Sequence, residues 1–197
     1  AKLIMTGRTH DLAAFTGLSI YFVIFPLVNM SLATLITVLA ANFIGGLFPD
    51  IDQSTGTLWR RLRGGSFLGK LISPLLGGHR LLTHSIVGLV VTGYLLKWFL
   101  GILHAVLLVD MNVVWWAFMI GFVTHLFMDM LTRDGIPLLF PIPVKFGIPP
   151  IKTMRPKTGG FFEKVIMFPS LLGINAFLIY TNYEKFLTFL KLFVTFK

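Results

Sequence analysis

The chain has 197 residues, of which 55% are hydrophobic and only 13% charged, and its mean hydropathy is +0.83. That composition excludes a soluble globule, whose surface needs about a quarter of its residues charged. The formal net charge is +9, but the basic residues stand between apolar runs and form no stripe, so anionic lipid headgroups account for them and nucleic acid does not. Without cysteine, disulfides and thiolate metal sites are ruled out, and any metal must be held by nitrogen and oxygen.

Leu12 to Val28 is the first apolar run and breaks near Pro26 and Asn29-Met30-Ser31. It lacks a small-x-small cleavage site and passes quickly into a second run, Leu32 to Phe48. The two are therefore predicted to be spanning helices in an antiparallel hairpin, the first retained and not a cleaved signal. Ser85 to Val109 is interrupted by Lys97-Trp98 and His104. It reads either as one tilted helix with Lys97 snorkelling or as a span ending near Phe99. Asn112 to Leu131 is the fourth run, and Phe161 to Ile179, closed by Tyr180 and Tyr183, is the fifth. The tail from Tyr183 to Phe196 repeats Phe and Leu with Lys185 and Lys191, the pattern of an interfacial amphipathic helix. The predicted fold is all-α: a single integral membrane domain over residues 1–197, with about five transmembrane helices in a bundle and a C-terminal interfacial helix.

Threading these spans places the N-terminus and the loops 49–83 and 132–160 on one side. Thirteen lysines and arginines fall there, and four (Lys97, Lys185, Lys191 and Lys197) fall in the spans or on the other side. The positive-inside bias makes the first side cytoplasmic and the chain a multi-pass protein of the cytoplasmic (inner) membrane. The loop 132–160, rich in proline and apolar residues, reads as an ordered cover.

Four of the five histidines stand at span ends on that same side. His10 opens the first helix. Asp50 and Asp52 follow Pro49 at the end of the second, where two carboxylates oppose the helix dipole and call for a cation. His79 and His84 flank Arg80 and Thr83 before the third helix, where a helix N-terminus and a guanidinium would favour an anion. Thr83 or Ser85 would cap that helix. His125 and Asp129 are four apart on the fourth helix and so share a face with Thr132. A carboxylate near the bilayer is costly unless paired or metallated. The candidate metal ligands are thus His10, Asp50, Asp52, His79, His84, His125 and Asp129. Nitrogen and oxygen donors in that mixture suit zinc, with manganese or iron as alternatives, in one or two ions. The candidate catalytic residues are Asp50, Asp52, Arg80 and His84. His104 is predicted to lie away from this face.

The Thr9-His10 pair, Phe48-Pro49-Asp50-Ile51-Asp52, Gly78-His79-Arg80-x-x-Thr83-His84-Ser85 and His125-x-x-x-Asp129-x-x-Thr132-x-x-Gly135 together resemble the YdjM family over about residues 5 to 160. That family is described as inner-membrane-associated and metal-dependent hydrolases, with a LexA-binding label in some members. The resemblance marks His10, Asp50, Asp52, His79, Arg80, His84, His125, Asp129 and Thr132. The order Asp, His, His-x-x-x-Asp is more distantly similar to the zinc-dependent phospholipase C and P1 nuclease group, whose full ligand set and N-terminal tryptophan this chain lacks.

Three functions compete. The first is a metal-dependent hydrolase of a phosphoester at the cytoplasmic membrane face, taking an amphiphilic, phosphate-bearing substrate such as a phospholipid or lipid-linked phosphate. The second is a structural or regulatory membrane protein with a non-catalytic metal. The third, a divalent-cation transporter, would place its ligands near mid-membrane and not at span ends.

Overall fold

The computed structural model describes residues 7–25, 30–76, 81–142 and 144–194. The long helices are α1 (Gly7–Ile24), α2 (Leu32–Leu47), α5 (Ile86–Leu103), α6 (Met111–Met130) and α7 (Phe168–Thr181). Between them lie two short helices, α3 (Thr57–Arg61) and α4 (Gly65–Ile72), and a last helix, α8 (Tyr183–Val194), follows. A 3-10 turn, Phe48–Asp52, prolongs α2, and a π-helical turn, Glu163–Met167, leads into α7. Among the described residues there is no strand, only an isolated antiparallel bridge between Ile136 and Phe146. The all-helical expectation holds.

Four helical segments are long and apolar enough to cross a membrane: Leu32–Asp52, Ile86–Leu103, Met111–Met130 and Glu163–Thr181. The fifth expected span corresponds to α1, which begins at Gly7 and so takes in Arg8, His10 and Asp11, diluting its apolar character. The third run is one continuous helix through Lys97 to Leu103.

Polar caps start the helices. Ser31 accepts from the Thr34 amide at 3.1 Å, Ser85 from that of Gly88 at 3.1 Å, and Asp110 from those of Asn112 and Val113 at 3.0 and 3.3 Å. Of the two capping candidates for α5, Ser85 takes the role and Thr83 is released for another.

α6 packs against α1, α2 and α5, and α7 lies on α1. In lipid the hydrophobic effect does not drive helices together, and close backbone approach through small residues does much of that work. At the α2–α6 crossing a Cβ on Gly45 would overlap the Phe118 carbonyl, and one on Gly121 would overlap the Asn42 carbonyl. Asn42 Nδ2 locks the same crossing by donating to the Ala117 carbonyl at 2.9 Å. Leu18, Val38, Val114 and Ala117 fill the buried centre beyond it.

This packing brings the starts of α1, α5 and α7 to the same end as the finishes of α2 and α6. Thr9, for example, donates to Glu163 across 154 residues of sequence at 2.8 Å. The segment after α6 covers that end. Ile136 and Phe146 exchange both backbone hydrogen bonds, at 2.9 and 2.8 Å, and the Ile86 amide donates to the Leu138 carbonyl at 2.9 Å. Ile136 is fully buried, and Arg155, also buried, donates to the Thr132 carbonyl at 3.2 Å.

Candidate metal centre

The covered end gathers His10, Asp50, Asp52, His84, His125 and Asp129, all buried. They arrive from four different helix ends. His10 is in the first turn of α1, Asp50 and Asp52 are in the 3-10 turn closing α2, and His84 immediately precedes the Ser85 cap of α5. His125 and Asp129 share the buried face of α6, as their spacing predicts. α6 stops at Met130, and the Thr132 hydroxyl closes its end by donating to the Asp129 carbonyl at 2.8 Å. His79 and Arg80, both expected at the site, lie outside the described residues.

The second contacts of these side chains set which atoms face inward. His125 Nδ1 meets the Gly46 carbonyl at 2.7 Å, and a carbonyl only accepts, so Nδ1 carries the proton. The lone pair is therefore on Nε2, which is buried without a hydrogen-bond partner among the described residues. It lies 3.8 Å from Asp50 Oδ1 and 4.0 Å from Asp129 Oδ2. His84 Nε2 lies 3.9 Å from the same Asp50 oxygen and 3.5 Å from the same Asp129 oxygen. The three gaps of 3.8–4.0 Å exceed hydrogen-bonding range, and the 3.5 Å gap between His84 and Asp129 stands at its limit. They approach the separation of about 3.3 Å between neighbouring ligands of a tetrahedral ion with zinc–nitrogen bonds of about 2.0–2.1 Å. Asp50, His84 and His125 thus frame one cation-sized position, with Asp129 beside the two imidazoles.

Asp52 stands behind this position. Its Oδ2 accepts from the Thr83 hydroxyl at 2.5 Å and lies 3.5 Å from His84 Nδ1, on the far side of the ring from Asp50. Its backbone carbonyl is held by the Ser73 hydroxyl at 2.5 Å. Of the two carboxylates in Pro49-Asp50-Ile51-Asp52, Asp50 therefore faces Nε2 of His84 and His125 while Asp52 stands at Nδ1 of His84, which resembles the carboxylate–histidine pairing of metal sites. Burial alone would push the His84 imidazole below its usual value, but Asp129 and Asp52 outweigh it and lift it to about 9.

His10 completes a second triad, with His125 and Asp129, that shares His125 with the triad of Asp50, His84 and His125. Its Nε2 lies 3.6 Å from Asp129 Oδ1, and its ring stacks on that of His125 with centroids 4.0 Å apart. A neutral imidazole whose Nδ1–H is engaged has one lone pair to offer. His125 can therefore serve only one of the two triads at a time.

Three contributors escaped the sequence reading. The Gly46 carbonyl could not be seen because backbone atoms leave no residue-type signal. Thr83 is, by its sequence position, one of two cap candidates for α5, and that alternative hides its contact with Asp52. Glu163, an acid at the head of an apolar run, was visible as an oddity. It is buried, accepts from Thr9 and from the Gly159 amide at 2.8 and 2.6 Å, and so ties the residue beside His10 to the covering loop. Asp11, by contrast, leaves the centre and pairs with Arg61 at 2.6 Å.

The family model for YdjM inner membrane protein matches residues 5–195. A Bacillus subtilis (strain 168) protein described as uncharacterized protein YvsG is 28% identical over 166 residues, covering 83% of this chain and 88% of that protein. The inner membrane protein YdjM of Escherichia coli (strain K12) is 33% identical over 126 residues, or 61% of this chain. That match spans 56% of the Escherichia coli protein, and Shigella flexneri YdjM gives the same figures. No solved structure matches. A membrane-protein composition, a four-part His/Asp signature folded into one buried cluster, and a family match over nearly the whole length agree: the chain belongs to the YdjM inner membrane protein family.

Proposed function

We propose that the protein is a metal-dependent hydrolase at the cytoplasmic face of the membrane, acting on a phosphoester of a lipid or lipid-linked substrate. The observation that carries this reading is His125 Nε2, a buried lone pair facing two carboxylates with its other nitrogen fixed by Gly46. Asp50, His84, His125 and Asp129 would hold zinc, or manganese or iron. A second ion, against His10 and Asp129 Oδ1, would need further ligands, of which His79 is the candidate. When bound, such an ion supplies Lewis acidity and activates water toward a phosphoester.

The chain's own groups then have separate tasks. Asp52, fixed by Thr83, holds the His84 ring so that Nε2 faces the centre. Gly46 does the same for His125. Asp50 stands at the rim, its side chain 9% exposed against 2% or less for Asp52 and Asp129, and is the carboxylate placed to accept a proton from water. Arg80 would clamp the substrate phosphate. The clustering of lysine and arginine at this end supports a cytoplasmic orientation and a multi-pass topology.

A second reading, a structural metal, is favoured by the supply of ligands: were Asp129 to join Asp50, His84 and His125 on one ion, four protein groups would close a tetrahedral shell, as in non-catalytic zinc sites. Manganese-loaded protein in detergent separates the two through water proton relaxation. Fast exchange of water at the ion, with hydrolysis of phospholipids or lipid phosphates that Arg80→Ala diminishes, supports the enzyme. Absence of exchangeable water from the loaded centre would end the hydrolase reading and leave the structural one.

A further inference from the structure

We propose that α3 and α4 form an in-plane anchor in the leaflet at the metal-centre end, with α4 lying in the headgroup layer and its basic edge taking anionic phospholipid. The proposal stands whether or not the centre is catalytic.

The faces of α4 are inverted relative to a helix that packs on its own protein. Gly65 and Gly69, one turn apart, face inward and are buried. Side chains there are excluded, because a Cβ on Gly69 would sit 2.9 Å from the Trp59 ring, and one on Gly65 would overlap the Trp59 carbonyl. The large apolar residues point outward: Phe67 is 73% exposed, Leu71 61% and Leu68 43%, with Leu62 50% just before. In water this arrangement would leave a contiguous apolar patch uncovered.

Charge identifies what covers it. Residues 53–76 contain Arg60, Arg61, Arg63 and Lys70 and no acid. Arg61 is engaged by Asp11, leaving three cations for an outside partner. On the α4 wheel Ser66 and Lys70 form a polar edge beside the Phe67–Leu71 face, the layout of a helix that buries one side in acyl chains and keeps its lysines among phosphates. The position agrees. The apolar segment that begins at Leu32 ends at Asp52, so the chain reaches the bilayer surface where α3 and α4 begin. Trp59 Nε1 donates to the Ile51 carbonyl at 3.0 Å and the Ser73 hydroxyl holds Asp52. The anchor is thereby clamped to the turn that carries Asp50.

The chain has no cysteine, so single substitutions can be spin-labelled in the full-length protein. Phe67→Cys, Leu71→Cys and Ser66→Cys, each in nanodiscs of neutral phosphatidylcholine and of phosphatidylcholine with phosphatidylglycerol, are compared for collision with oxygen and with a water-soluble nickel chelate. Labels at 67 and 71 are expected to favour oxygen severalfold more than the label at 66. In the mixed nanodiscs, spin-labelled phosphatidylglycerol should be enriched severalfold around the protein. Combined Arg60→Glu, Arg63→Glu and Lys70→Glu should abolish that enrichment while the metal content stays unchanged. Equal nickel access at 66, 67 and 71 would show the face open to water and overturn the anchor. Spin–spin broadening between copies at 67 would show that a second copy of the chain covers it, which also overturns it. Enrichment that survives the triple reversal would overturn the basic edge.

Discussion

The two ends of the bundle carry the same residue types and use them differently. At one end His84, His125, Asp50, Asp52 and Asp129 are buried and face one another. At the other, Lys97, His104, Asp110 and Asn112 are exposed around an open cavity of about 310 Å³, and the Asp110 carboxylate caps α6. The difference lies in the connections. At the exposed end the segment 104–110 between α5 and α6 is short and leaves it open. At the buried end the described residues of the longer segments between α2 and α5 and between α6 and α7 carry their own hydrogen bonds, and those after α6 cover the helix tips. Histidine and aspartate become candidate ligands where water is removed and, as at His84 and His125, one ring nitrogen already meets another group.

The sharpest break of this comparison is His125→Ala against His104→Ala. The first should lower metal affinity by more than about 100-fold, beyond what loss of an outer-shell partner does, and the second should leave it unchanged. Elemental analysis of chelator-free protein with competition titration measures both. Equal metal content in the two variants would mean that the buried cluster is a hydrogen-bonded core and no metal centre.

Next come the groups behind the ligands. Asp52→Asn and Thr83→Val should each weaken metal binding about 10–100-fold while retaining the fold, because His84 loses its fixed orientation. Asp110→Ala, a carboxylate removed from the other end, should not alter the metal affinity. If Asp52→Asn abolishes binding as completely as His125→Ala, then Asp52 is itself a ligand and the assignment of Asp50 must change.

Two glycines give a comparison in stability. Gly121→Ala drives a methyl into the Asn42 carbonyl and should destabilise the bundle by about 1–3 kcal/mol, and it should weaken metal binding by shifting the neighbouring Gly46 carbonyl that holds His125. Gly101→Ala, in open space on α5, should be neutral or stabilising by up to about 1 kcal/mol. Unfolding in mixed micelles measures both. Asp110→Ala, on the same stability scale, should lose about 1 kcal/mol with the cap of α6.

Much of this molecule was legible in its sequence because a bilayer imposes simple rules. Apolar runs of spanning length located α2, α5, α6 and α7, and the i,i+4 spacing put His125 and Asp129 on one face before any packing was known. Convergence of His10, Asp50, Asp52, His84, His125 and Asp129 followed from topology alone, since alternate helix ends must return to the same side. Only the tertiary structure decided what each residue does there. It separated Asp50 from Asp52, because which carboxylate meets a ligand nitrogen depends on the 3-10 turn and on where Thr83 stands. It drew Thr83 away from capping, selected the lone pair of His125 through a glycine carbonyl, and turned the apolar face of α4 outward against two inward glycines. Those choices rest on backbone atoms and close approaches between segments distant in sequence, and residue identity carries no trace of either.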